Sequence, residues 1–197
     1  MSVSQQLIQQ YHDDGYATLP GVFDAGAIAA LQAEAQRLAE LKIIHTNNLR
    51  CRWADHVETK ECRFDCFDPV TDLSEPIAQA ARAPELVTVL EALGGERMHL
   101  FKDKLIYKLP GAPGYELHQD WIAWEGFPKS FLTVIVALDP ATALAGATEV
   151  FPRQHKRGPL SPPNGEFNRL GVESVAGIDP VPLVLAPGGG VSWVWRG

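Results

Sequence analysis

A single α+β domain, mainly β, with helices packed outside an antiparallel barrel or sandwich such as a jelly roll, is the fold class this sequence predicts. Two observations carry that reading. Helical periodicity is confined to residues 1–95, and beyond Gly94 and Gly95 it gives way to short extended runs. Gly and Pro concentrate in 96–197, where they separate those runs as turns do. Helices that come first and strands that follow bury their apolar faces against one another as layers of one domain, here 1–197. A chain of 197 residues is long enough for such a core.

The elements follow in order. Residues 4–13 form an amphipathic helix candidate with Leu7, Ile8 and Tyr11 on one side and Ser4 as N-cap, ended by Gly15. Tyr16 to Leu19 reads as a strand closed by Pro20 and Gly21. Asp24 caps a strong helix over 25–41, where Ile28, Leu31, Ala35, Leu38 and Leu41 make an apolar stripe. Residues 45–72 read as a long irregular polar loop, the kind that often serves a function. Ser74 caps a helix over 75–83, and Pro84 opens another that runs to Leu93. Strands are expected over 98–109, 115–121, 132–139, 148–151, 181–185 and 191–194.

Bulk chemistry narrows the function. Seventeen Lys and Arg against 24 Asp and Glu leave a net charge of −7, which opposes a general role on nucleic acid or an anionic membrane. The amino terminus has no basic start followed by an apolar run, and no stretch is apolar for long enough to span a bilayer, so a cytoplasmic location is expected. Three cysteines, an odd number, argue against a secreted disulfide framework.

The chemistry concentrates in the expected strand around His118-Gln119-Asp120. Side chains alternate along an extended chain, so His118 and Asp120 project together while Gln119 points away. An imidazole and a carboxylate on one face are two corners of the two-His, one-carboxylate site of non-haem Fe(II) oxygenases. Alone, a His-x-Asp triplet is weak, since most such pairs are ordinary surface or strand residues. Cys51, His56, Cys62 and Cys66 invite a zinc reading, but no second close pair completes a usual zinc pattern, and free cysteines are commonly small buried apolar groups.

Three segments in one order add a resemblance. DDGYATLPGVFDAGAIAALQAEAQRL, IYKLPGAPGYELHQDW and GATEVFPRQHKRG together resemble the phytanoyl-CoA hydroxylase-like family of Fe(II)/2-oxoglutarate-dependent dioxygenases. The resemblance implies a double-stranded β-helix, a form of jelly roll, over 96–197. It implies Fe(II) held by His118 and Asp120, 2-oxoglutarate as co-substrate with Lys108 on its carboxylate, and Trp121 in the pocket wall. Trp124, Thr133 and Ile135 complete the candidate pocket, although aromatic residues here could equally be core. His155 matches a turn position that is not a metal ligand. An intact carboxylate at Asp120 favours hydroxylation, because related halogenases carry a small residue there. The implied reaction is hydroxylation of a small organic metabolite, with 2-oxoglutarate converted to succinate and CO2.

The resemblance also has a departure. The family places its third ligand, a His, on a late strand, with an Arg further on. No His follows His155 here, Gly189 stands where Asp is usual, and Arg196 falls too early. The expectation is a β-helix incomplete at its carboxyl end. The alternative function is a non-catalytic relic of the fold that binds a small molecule or a partner. Oligomeric state is left open.

Overall fold

A computed structural model describes residues 3–46, 49–120, 130–158, 160 and 169–196; for Ser130 and for 191–196 only the backbone is described. The elements run α1 (Gln5–Asp14), β1 (Tyr16–Leu19), α2 (Ala25–Glu40), β2 (Cys51–Asp55), β3 (Cys62–Phe67), α3 (Glu75–Ala81), α4 (Pro84–Gly94), β4 (Leu105–Ile106), β5 (Ser130–Val136), β6 (Glu149–Val150), β7 (Val181–Pro182) and β8 (Gly190–Arg196). Short 3-10 turns lie between some of them.

The helix ends follow from local chemistry. Ser4 accepts from the Leu7 amide and Asp24 from the Ala27 amide, each satisfying a backbone donor that the first turn leaves unpaired. Gly15 ends α1 at φ 84°, a conformation that costs glycine little. The Cβ of any other residue at Gly15 would strike the His155 ring at Nδ1, so this position is closed by packing as well.

Among the described residues three antiparallel sheets form. In the first, β8 lies between β1 and β5, with Thr18 opposite Val191 and Thr133 opposite Trp193. The second runs β2-β3-β4, and the third pairs β6 with β7. The sheets therefore draw strands from both halves of the sequence. Tyr16 to Leu19 was legible as a strand, and β1 could only be completed by β8, more than 170 residues later.

The irregular loop expected over 45–72 is corrected: it holds the hairpin β2–β3. Cys51 and Phe67, opposite each other in the hairpin, join the core of Leu38, Val70 and Leu105, and Phe64 and Phe67 form an aromatic cluster with His45 and Tyr107. His45 is buried, stacks on Phe64 at 4.2 Å and bonds the Leu38 carbonyl through Nε2 at 3.0 Å. Two long strand expectations are also corrected. Residues 98–109 supply only Leu105–Ile106, and 115–120 supply one isolated bridge, His118 to Arg169. Asp103 accepts from the Val70 and Thr71 amides at 2.6 and 2.8 Å, which holds its segment off the sheet.

β5 separates two environments. Val134 and Val136 join the core of Phe23, Ile28, Leu31 and Leu86, and Leu132 joins that of Tyr11, Ala17 and Leu93. The even-numbered residues thus face the helices α1, α2 and α4. The odd-numbered residues Phe131, Thr133 and Ile135 face the other way by strand alternation. That second face is where the candidate site lies.

Candidate metal centre

His118 and Asp120 converge. His118 Nε2 lies 3.4 Å from Asp120 Oδ1, while the Gln119 side chain turns elsewhere, donating to the Gly158 carbonyl at 3.0 Å and accepting from the Leu160 amide at 2.8 Å. Gln119 thereby clips the segment to the turn after β6, which fixes the direction of its two neighbours.

Each ligand candidate has a positioning partner. His118 Nδ1 sits 2.6 Å from the Glu116 carbonyl. A carbonyl can only accept, so Nδ1 carries the proton and Nε2 is the nitrogen available to a metal. The backbone beneath is tied down by the Leu170 amide on the Leu117 carbonyl at 2.9 Å and by Arg169 on Glu116 at 2.9 Å. Thr133 on β5 donates its hydroxyl to Asp120 Oδ2 at 2.9 Å, leaving Oδ1 toward the histidine. The hydrogen bond to Asp120 raises the His118 pKa above its ordinary 6.5; burial and the Lys104 charge act against it.

An imidazole nitrogen that gives up its proton and a carboxylate oxygen this close fit one divalent iron, which favours such N and O donors. Among the described residues no group of three or more His, Cys, Asp or Glu gathers around a common point, so the pair stands as a partial ligand set.

The other candidates separate. Lys108 is exposed and its ammonium donates to the Gly146 carbonyl. The lysine whose charge reaches His118 is Lys104. Ile135 shares the site-side face of β5 with Thr133, whereas Trp121 and Trp124 lie outside the described residues. His155 packs below the end of α1, with Nε2 at 3.1 Å from the His12 carbonyl. Cys51 and Cys66 are buried and Cys62 is exposed. Sequence reasoning missed Lys104 and the anchoring role of Thr133. The alternation Lys102-Asp103-Lys104 was the available signal for the first, and β5 alternation for the second.

A His-x-Asp pair that converges beside one face of a sheet supplies one nitrogen and one oxygen donor of the kind non-haem iron oxygenases use. Residues 11–192 match the family described as phytanoyl-CoA dioxygenase (PhyH), and the chain belongs to that family. Dioxygenase lolE1 of Epichloe uncinata is 28% identical over 192 residues, covering 94% of this chain and 71% of that protein. Methylphosphonate hydroxylase of Gimesia maris is 39% identical over 98 residues, 49% of this chain and 36% of that protein. Among solved structures, the epimerase SnoN in complex with Fe3+, alpha ketoglutarate and nogalamycin RO shares 25% identity at a TM-score of 0.75, covering 98% of this chain and 74% of SnoN. The expected enzyme class, a non-haem iron, 2-oxoglutarate-dependent dioxygenase, and its cofactors agree with these relatives.

Proposed function

We propose that the chain is the iron-binding domain, over 1–197, of an Fe(II)/2-oxoglutarate-dependent oxygenase that hydroxylates a small organic metabolite while 2-oxoglutarate goes to succinate and CO2. The convergence of His118 Nε2 and Asp120 Oδ1 at 3.4 Å carries this reading. In it the two residues hold Fe(II), which supplies the oxidation chemistry when bound. Thr133 and Glu116 hold the ligands in orientation, and Trp121, Trp124, Thr133 and Ile135 wall the pocket. Lys108 turns from Gly146 to the co-substrate carboxylate. The sheets belong to a double-stranded β-helix. The methylphosphonate hydroxylase among the relatives supports a small, anionic substrate. The negative chain charge supports a role away from nucleic acid. No described helix is long and apolar enough to cross a membrane, and a cytoplasmic enzyme is the reading we adopt.

The chain spans 71% of lolE1 and 36% of the methylphosphonate hydroxylase, so a second reading stands beside the first. It is a fold that binds a small molecule or partner without oxidation, and the two-member ligand set among the described residues favours it. One experiment decides. The protein is mixed anaerobically with Fe(II) and 2-oxoglutarate, the visible charge-transfer band of the chelate is recorded, and succinate is measured after admission of air. A band that His118→Ala abolishes, with succinate, supports the oxygenase. No band and no succinate leave the binding reading.

A further inference from the structure

Among the described residues, Arg169 forms an antiparallel bridge with His118, and residues directly opposed in such a pair project to the same face. The Arg169 Nε meets Glu116 Oε2 at 2.9 Å. Glu116 is also the residue whose carbonyl holds His118 Nδ1, at 2.6 Å. Two independent ties, one of backbone pairing and one of charge, therefore place the guanidinium beside the imidazole that offers the candidate metal nitrogen. The His118 and Asp120 side chains are 42% and 30% exposed, so a ligand can reach the pair from solvent.

The backbone, more than the ion pair, sets where residue 169 stands. The Leu170 amide donates to the Leu117 carbonyl at 2.9 Å, and Gln119 fixes the same metal segment to Gly158 and Leu160. The Arg169–Glu116 pair is open, with side chains 62% and 67% exposed, and ion pairs this exposed contribute little to stability. Among the described residues Glu116 is the one ion-pair partner of Arg169, and the closest contact uses Nε. The Nη nitrogens thus remain as donors for something that is not part of the fold. Lys108, by contrast, is engaged with the Gly146 carbonyl.

We propose that Arg169 is a specificity-determining residue of the metal centre, whose Nη nitrogens receive an oxyanion group of the substrate, a phosphonate or a carboxylate, beside His118. This rests on the oxygenase reading above and names the residue that recognises the anionic part of its substrate. A guanidinium suits the task because its planar fork offers paired donors to two oxygens of one anion. Glu116 steadies the side chain before ligand arrives and, as a carboxylate, also competes with the ligand for it.

The test follows the 31P NMR line width of methylphosphonate added to metal-free protein. Wild type is expected to broaden the signal saturably, and Arg169→Gln to weaken binding at least tenfold, while Lys60→Gln, on the β2–β3 hairpin, leaves it unchanged. Glu116→Gln removes the competing carboxylate and is expected to tighten binding several-fold, which keeps the idea testable if circular dichroism shows Arg169→Gln misfolded. Equal binding by folded wild type and Arg169→Gln, no tightening in Glu116→Gln, or no binding by wild type overturns the proposal. The Fe(II)–2-oxoglutarate band is then titrated anaerobically with 2-oxoglutarate. Half-saturation at the same concentration in wild type and Arg169→Gln is expected, and a tenfold rise in the variant would give the arginine to the co-substrate and overturn the proposal. Arg169-dependent phosphonate binding without the band sinks the oxygenase reading and leaves the arginine site, and the band without such binding does the reverse.

Discussion

Thr133 on β5 gives its hydroxyl to Asp120 at 2.9 Å, tying a ligand candidate that lies outside the named strands to a seven-residue strand. Among the described residues 115–120 forms a single bridge, and the Thr133 bond adds a tie from Asp120 to β5. Thr133→Val keeps the shape and removes the donor. Outer partners of metal ligands typically contribute 10- to 100-fold in affinity. The expected outcome is Fe(II) affinity lower by at least tenfold with a stability loss of about 1 kcal/mol, read by metal titration and urea unfolding.

The β2–β3 hairpin should be structurally central although its sequence reads as loop. Phe67 is 0% exposed and packs with Leu38, Cys51, Val70 and Leu105, joining the hairpin to α2. Phe67→Ala is expected to cost about 3–5 kcal/mol in urea unfolding, the range for deleting a buried aromatic ring. Val57→Ala, half exposed in the same hairpin, should cost under about 1 kcal/mol.

Thiol chemistry should be uneven across the three cysteines. Burial pushes the Cys66 thiol up to about 11, so at neutral pH it holds almost no reactive thiolate. Cys51 is buried and donates to the Ile44 carbonyl at 3.2 Å, while Cys62 is exposed. Brief iodoacetamide treatment at pH 7.5 followed by peptide mass spectrometry should find Cys62 alkylated and Cys51 and Cys66 spared until urea is added. Equal labelling of all three in native protein would contradict this packing.

The end of α1 offers a paired comparison. Gly15 and Gly177 both have positive φ, 84° and 79°, but only at Gly15 would a Cβ strike a neighbour, His155. Gly177→Ala is expected to cost about 1–2 kcal/mol for the left-handed backbone alone. Gly15→Ala adds the displacement of His155, about 1–3 kcal/mol more. Thermal or urea unfolding of both variants separates the two contributions, and equal costs would show that His155 yields freely.

Much of this was legible. Ser4, Asp24 and Ser74 marked the helix starts, and the Ile28–Leu31–Leu38 stripe marked the buried face of α2, because caps and periodicity are local. The direction of His118, Gln119 and Asp120 was legible for a related reason: alternation holds along any extended backbone, with or without a ladder. What escaped depends on distant partners. The hairpin was hidden because Arg52, Arg63 and Asp65 interrupt the apolar signal of Phe64 and Phe67. Lys104 was hidden because its ion-pair partner is Asp68, 36 positions earlier, and β1 because its partner β8 is at the far end.

Acid should loosen the junction of α2 with α3. Arg37 holds the Glu34 carboxylate through two hydrogen bonds, at 2.8 and 2.7 Å, and the Ser74 hydroxyl adds a third contact. The Glu34 pKa falls from 4.5 to about 2 for these reasons, against opposition from burial. A carboxylate whose pKa is lower folded than unfolded contributes stability above the unfolded value and loses it as pH falls toward the folded one. The contribution of Glu34 is therefore complete above about pH 5 and fades between 4.5 and about 2. Glu34→Gln should be less stable than wild type at pH 7 in urea unfolding, with the gap narrowing steadily from pH 4.5 to pH 2.5. A gap that stays constant over that interval would show that the Arg37 pairing contributes through shape rather than charge, since Gln preserves the shape and only the ionised carboxylate titrates.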